Sequence, residues 1–225
     1  MYHVKKLDIN RNPFIGLYLS ASDKALLSSP FIPESALQLA KETLFPAKIC
    51  AVTIGSSHLT GLFTVMNSNG CIVPKFAEDK EVQKITKELE LNVCKVPDEF
   101  SAIRNNFLVN DRACVVNESL PKIEQKKVSD CLDVEVFPMR TGGLPTVGSL
   151  NVVTNKGLIG FNDLEEDEFN SMLKIFHVKG TTGTCNFGTV SISLGIVANS
   201  TGALAGSFST GFELGTTYQA LSGEE

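Results

Sequence analysis

Nowhere in these 225 residues does an apolar run approach the ~20 residues needed to cross a bilayer. The opening stretch MYHVKKLDIN lacks the apolar core of a secretory signal. The six cysteines (Cys50, Cys71, Cys94, Cys114, Cys131 and Cys185) contain no CxxC pair, which argues against a zinc ribbon or a redox dithiol. Most sit in apolar settings such as KICAV, GCIV and ACVV, as buried reduced thiols of a cytoplasmic protein do. No HExxH, GxSxG or GxxxxGK[ST] pattern occurs, so the signatures of zinc proteases, α/β-hydrolases and P-loop enzymes are missing. Basic residues are outnumbered, 20 Lys and Arg against 25 Asp and Glu, and they are dispersed. That balance argues against gripping nucleic acid chiefly by phosphate neutralisation, and it leaves docking onto basic proteins open.

What the chain does have is a repeat. Five segments share one pattern of apolar residues, a short turn rich in Asn, Asp, Ser or Gly, and more apolar residues: IGLYLSASDKALLSS, LFTVMNSNGCIVP, NNFLVNDRACVVN, GSLNVVTNKGLIGF and SLGIVANSTGALAGSF. Each reads as a hairpin whose turn residues tolerate left-handed backbone. With Lys24, Gly70, Arg112, Gly157 and Gly202 taken as equivalent, the intervals are 46, 42, 45 and 45. Spacing that regular over the whole chain predicts a repeat architecture.

A helical stretch follows each hairpin. Leu37, Ala40 and Leu44 share one helix face, as do Val82, Ile85 and Leu89, and Phe169, Met172, Leu173 and Phe176. Pro33, Glu78, Ser119 with Pro121, and Asn162 mark the expected starts. The fifth helix, between Ser209 and Leu221, is expected to be weak because Gly211 and Gly215 interrupt it. Extended segments come next: KICAVTI, NVCKV, VEVFPM and HVKGT. The fifth unit lacks one of its own, and the strand from His3 to Ile9 is the natural candidate to complete it. The expected fold is α+β: five ββαβ units around a pseudo-fivefold axis, spanning approximately 11–54, 55–97, 98–140, 141–180 and 181–221, with strand 3–9 closing the ring. A β-propeller, the rival at this period, has four-stranded blades without helices.

Chemistry is sparse. His3 and His177 read as ordinary strand residues, while His58, in GSSHLTG, reads as a loop contact residue. Cys185, in TTGTCNFG, is the one thiol that lies in a loop, yet it shows no adjacent base. The acidic stretch from Asn162 to Glu168 is explained by helix capping rather than by a cation site, so neither metal nor cofactor is expected. The loops joining one unit to the next, GSSHLTG, PDEFSAIRNN, RTGGLPTVGS and GTTGTCNFGTVS, recur on equivalent sides and can assemble a broad docking platform.

At these loops the chain resembles the translation initiation factor 6 family, ribosome anti-association factors of archaea and eukaryotes. The match runs end to end and is carried by SAIRNN with FLVND, VGSLNVVTNKGLI, and GCIVP. The resemblance implies the pentein fold and a non-enzymatic role. Such a protein binds the joining face of the large ribosomal subunit near the sarcin–ricin loop, chiefly through ribosomal proteins with rRNA as a further contact. It blocks the small subunit as a monomer, without a membrane. It further implies contacts at Asn105, flanked by Ser101, Ala102, Ile103, Arg104 and Asn106; at Gly148, Ser149 and Leu150; and at Ser191 and Ile192, alongside His58. Arg104 stands where the family pattern has Gly, basic residues common near His58 are absent, and the length suits an archaeal form. Two other readings stay open. One is a guanidino-group-modifying enzyme of the same topology, whose catalytic Cys would lie in the final unit. The other is a scaffold for another partner.

Overall fold

A computed structural model describes residues 2–224. It contains five three-stranded sheets, each built the same way. In the first unit Leu19–Ala21 runs antiparallel to Ala25–Ser28. The chain crosses over through α1 (Glu34–Leu44) and returns as Lys48–Ala51, parallel to Ala25–Ser28. The second unit repeats this with Val65–Met66, Gly70–Pro74, α2 (Asp79–Leu89) and Asn92–Val96. The third has Phe107–Val109, Ala113–Asn117, α3 (Lys122–Leu132) and Glu135–Met139. The fourth has Val152–Val153, Gly157–Phe161, α4 (Glu166–Phe176) and Lys179–Gly183. The fifth has Ile196–Ala198, Gly202–Gly206 and α5 (Gly211–Leu221). Its parallel third strand is His3–Leu7, with Val4 opposite Ala203.

The first strands of successive units touch one another in a closed cycle, the fifth meeting the first, so they line a central axis. The sheets stay separate, and the N-terminal strand therefore covers the Gly202–Gly206 edge rather than abolishing edges, as a continuous barrel would. The middle strands are buried along almost their whole length, for example GCIVP at 70–74 and GLIGF at 157–161, which is why they read as continuous apolar runs. Helices pack outside them. α2 buries Ile85 and Leu89, and α4 buries Met172 and Phe176. Each such side chain contributes about 1.5–3 kcal/mol relative to exposure.

Strand direction gives the ring two unlike ends. All five hairpin turns lie at one, here the turn end. All inter-unit loops and all helix N-termini lie at the other, the loop end. Helices finish at the turn end, where Leu44 O accepts hydrogen bonds from Asn199 Nδ2 and Thr201 Oγ1.

Three local expectations need correction. α5 is a full helix: Thr210 and Glu213 form a reciprocal capping box, and Thr217, Ala220 and Leu221 are buried, which outweighs the two glycines. α4 is capped at Glu165, not Asn162, and of the expected pair Ser119 and Pro121 it is Pro121 that caps α3. His177 is no strand residue; it is the left-handed C-cap of α4.

Candidate docking face and axial neck

At the loop end, four of the five junctions make the same tight turn, closed by the bridges Ile9–Asn12, Ile54–Ser57, Thr141–Leu144 and Cys185–Thr189. Three turns are held by a carboxylate in the first turn of the following helix. Glu81 accepts from the Gly55, Ser56 and Glu78 amides and from Thr53 Oγ1. Glu213 accepts from the Phe187, Gly188 and Thr210 amides and from Thr184 Oγ1. Glu168 accepts from the Gly142 amide. Burial works to raise the Glu81 and Glu213 carboxyls, but their hydrogen-bond donors together outweigh it and hold both below the ordinary value. At the third junction a 3₁₀ turn, Asp98–Phe100, replaces the tight turn. The equivalent Glu124 has no loop amide to grip: Oε1 accepts from Lys127 and Oε2 has no partner.

Inside these turns the chain narrows to a neck around the axis. Gly16, Gly61, Arg104, Gly148 and Ser193 follow one another at intervals of 45, 43, 44 and 45 residues. They are stitched together by amide-to-carbonyl bonds from Gly61 to Leu17, Arg104 to Leu62, Gly148 to Asn105, and Ser193 to Ser149. A Cβ at Gly16, Gly61 or Gly148 would strike a neighbouring unit's backbone carbonyl, so only glycine lets the units approach this closely. Arg104 fills the neck. Its Nε donates to Gly61 O at 2.8 Å, its Nη2 to Leu19 O at 2.7 Å and its Nη1 to Ser193 O at 3.3 Å, so one side chain ties three other units. Burial alone lowers its pKa to about 10.

The residues expected to make contacts are thus divided. The segments 101–106, 148–150 and 191–192 meet around the neck, and His58 stands outside it with its ring 3.9 Å from that of Phe31. His58 is exposed, and Ser101, Ala102, Asn105 and Ser191 are half-buried. Ile103, Arg104, Asn106, Gly148, Ser149, Leu150 and Ile192 are buried. Their side chains shape the loops and do not present a surface. The last strand of the fourth unit, expected in HVKGT, runs on through Thr182 and Gly183, expected in the following loop.

Sequence reading missed the exposed apolar groups. Of nine exposed large hydrophobic residues among the described ones, Phe31, Phe76, Ile123, Leu144, Phe187, Val190, Phe208 and Phe212 lie at the loop end, and only Phe45 lies at the turn end. The signal was present in Leu144, Phe187 and Val190, apolar residues set among turn formers where no core strand runs.

Cys185 is buried, and burial together with Glu213 pushes its thiol up to about 12, the reverse of what a nucleophile needs. All six cysteines are unpaired. Among the described residues no cluster of three His, Cys, Asp or Glu could hold a metal, and no helix is long and apolar enough to cross a membrane.

A model of the eIF-6 family matches residues 4–220. The chain is 35% identical over 208 residues to translation initiation factor 6 of Methanocaldococcus jannaschii, covering 90% of each chain. It is 32% identical over 222 residues to that of Picrophilus torridus, covering 97% of this chain and all of the other. It is 32% identical over 224 residues to that of Thermococcus onnurineus, covering 97% and 98%.

Proposed function

Because this chain belongs to the eIF-6 family, we propose that it is a cytoplasmic translation initiation factor that docks on the large ribosomal subunit by its loop end. It blocks small-subunit joining by bulk alone, so no bond is made or broken and no cofactor takes part. The single observation that carries this reading is the segregation of exposed apolar side chains: eight of nine lie at one end of the ring. Exposed apolar groups rimmed by polar loops are the anatomy of a protein-binding surface. The net charge of −5 favours basic ribosomal proteins near the sarcin–ricin loop as the main partners, with rRNA secondary. The contacting side chains are His58, Ser101, Ala102, Asn105 and Ser191, joined by Phe31, Leu144, Phe187 and Val190. The buried neck residues Ile103, Arg104, Asn106, Gly148, Ser149, Leu150 and Ile192 hold those loops in place.

A matched pair of substitutions tests it. Phe187 and Phe45 are both exposed, both in left-handed backbone, and at opposite ends of the ring. Asn tolerates that backbone well, so neither Phe187→Asn nor Phe45→Asn should lower thermal stability. Gradient sedimentation with purified large subunits should show the monomer bound to that subunit and absent from joined ribosomes. Phe187→Asn should weaken binding at least tenfold, and Phe45→Asn should leave it unchanged. Protein remaining at the top of the gradient at every ionic strength, or equal effects of the two variants, would refute the reading.

A further inference from the structure

Behind the neck the axis opens into a chamber of about 60 Å³, lined at its loop end by Arg104, Ser20 and Ser193 and by apolar side chains such as Phe107 and Val65. Toward the turn end it narrows at a waist made by five equivalent residues, Ala21, Met66, Val109, Val153 and Ala198. Beyond the waist a smaller space of about 20 Å³ is walled by Asp23, Asn67, Asn110, Asp111, Asn155 and Asn199.

The charge in the chamber is unbalanced. Arg104 is buried, its three recorded bonds all go to neutral carbonyls, and no ion pair to it occurs among the described residues. A guanidinium has five N–H groups, so one on each terminal nitrogen is left over. The Ser193 hydroxyl is likewise buried and has no partner, and the same residue's carbonyl accepts from Arg104. No acidic residue lines the chamber; Asp23 and Asp111 line the space beyond the apolar waist, and both carboxylates are engaged there by Asn155 Nδ2. An uncompensated cation in such a setting costs several kcal/mol.

We propose that the axial chamber binds one small monovalent inorganic anion of the halide class, held by the unused N–H groups of Arg104 and the hydroxyl of Ser193. The chemistry selects the class. One positive charge calls for one negative charge. Two or three donors over apolar walls suit a monatomic ion, which has no directional demands. A phosphate or sulfate would leave most of its oxygens without donors. Compensation of Arg104 by an ion in the chamber also requires no sheet or helix to move.

The test uses the full chain. Crystals equilibrated with bromide should show one anomalous peak in the chamber, within hydrogen-bond reach of Arg104 and Ser193. In solution, chloride or bromide replacing gluconate at constant ionic strength should raise Tm by about 2–4 °C, as expected for a ligand that binds only the folded state. Ser193→Ala should shift the half-saturating halide concentration upward several-fold while the protein stays folded, and Arg104→Gln should abolish the response. Ordered water without anomalous signal at high bromide would overturn the proposal. So would a peak without any halide dependence of Tm (an adventitious ion only), or an unchanged halide response in Ser193→Ala.

Discussion

At the neck one side chain does most of the tying, whereas at the turn end five hairpin tips share it. Arg104 reaches Leu19, Gly61 and Ser193 across the axis. The turn end repeats one bond instead. Asn67 Nδ2 donates to the Asn110 and Leu132 carbonyls, Asn110 Nδ2 to those of Thr154 and Phe176, and Asn199 Nδ2 to those of Ser22 and Leu44. Each amide thus joins a hairpin to the next unit's turn and to the end of its helix. Asp23 and Asp111 accept from Ser200 and Ser68 respectively, and Asn155 Nδ2 bridges the two carboxylates at 2.8 and 2.6 Å. A distributed closure can lose one member; a single bolt cannot.

Substitution should expose that asymmetry. Arg104→Ala leaves three buried carbonyls without a donor, and chemical denaturation should show a loss of about 3 kcal/mol or more. Asn155→Ala, at the other end, removes the bridge between two carboxylates whose remaining bonds persist. There the expected loss is about 1–2 kcal/mol. An equal or larger cost for Asn155→Ala would erase the contrast.

Smaller effects separate the docking loops from the ring beneath them. Glu81 and Glu213 titrate below the ordinary carboxylate value of 4.5, so their contribution is complete above that pH and is lost as pH falls through their lowered values. Glu213→Gln should therefore cost about 1 kcal/mol at neutral pH and flatten the acid limb of a Tm-against-pH curve. Glu124→Gln, which touches no loop amide and loses only the bond from Lys127, should cost less than Glu213→Gln in the same thermal melts at neutral pH. Gly215→Ala is the control away from both ends. Its Cβ would meet nothing within 4 Å, and thermal melts should show a gain of about 0.5–1 kcal/mol.

The hairpins and most helices were legible because their causes are local: turn formers at a fixed interval, and apolar residues at helical spacing. α5 was undervalued because glycine's cost is written in the sequence, while the Thr210–Glu213 cap and the burial of Leu221 complete it only in three dimensions. The burial of the neck is hidden from the sequence for the opposite reason. SAIRNN and VGSL are polar and small enough to look like solvated loop, yet close approach to the axis buries Ile103, Arg104 and Leu150. No local pattern announces an arginine pointing inward. An outward phenylalanine does leave a trace: Phe187 is an apolar residue set among turn formers, where no core strand runs. The turn asparagines were seen as turn formers, but their bonds to the neighbouring helix ends were not, since those partners lie 65, 66 and 155 residues away.

The strand His3–Leu7 pairs with Gly202–Gly206, and this sets a timetable for the protein's birth. This strand is synthesised long before its partner and stays unpaired until the fifth unit has been made. Cores form between neighbouring units, as where Leu27 and Cys50 of the first cluster with Ile85 and Leu89 of the second, so until the fifth unit exists the ring stays open. Ring closure requires two segments far apart in sequence, His3–Leu7 and Gly202–Gly206, to find each other. A circular permutant that joins these neighbouring extremes and opens the chain at an exposed loop would turn that late encounter into a local one, and should fold faster for it.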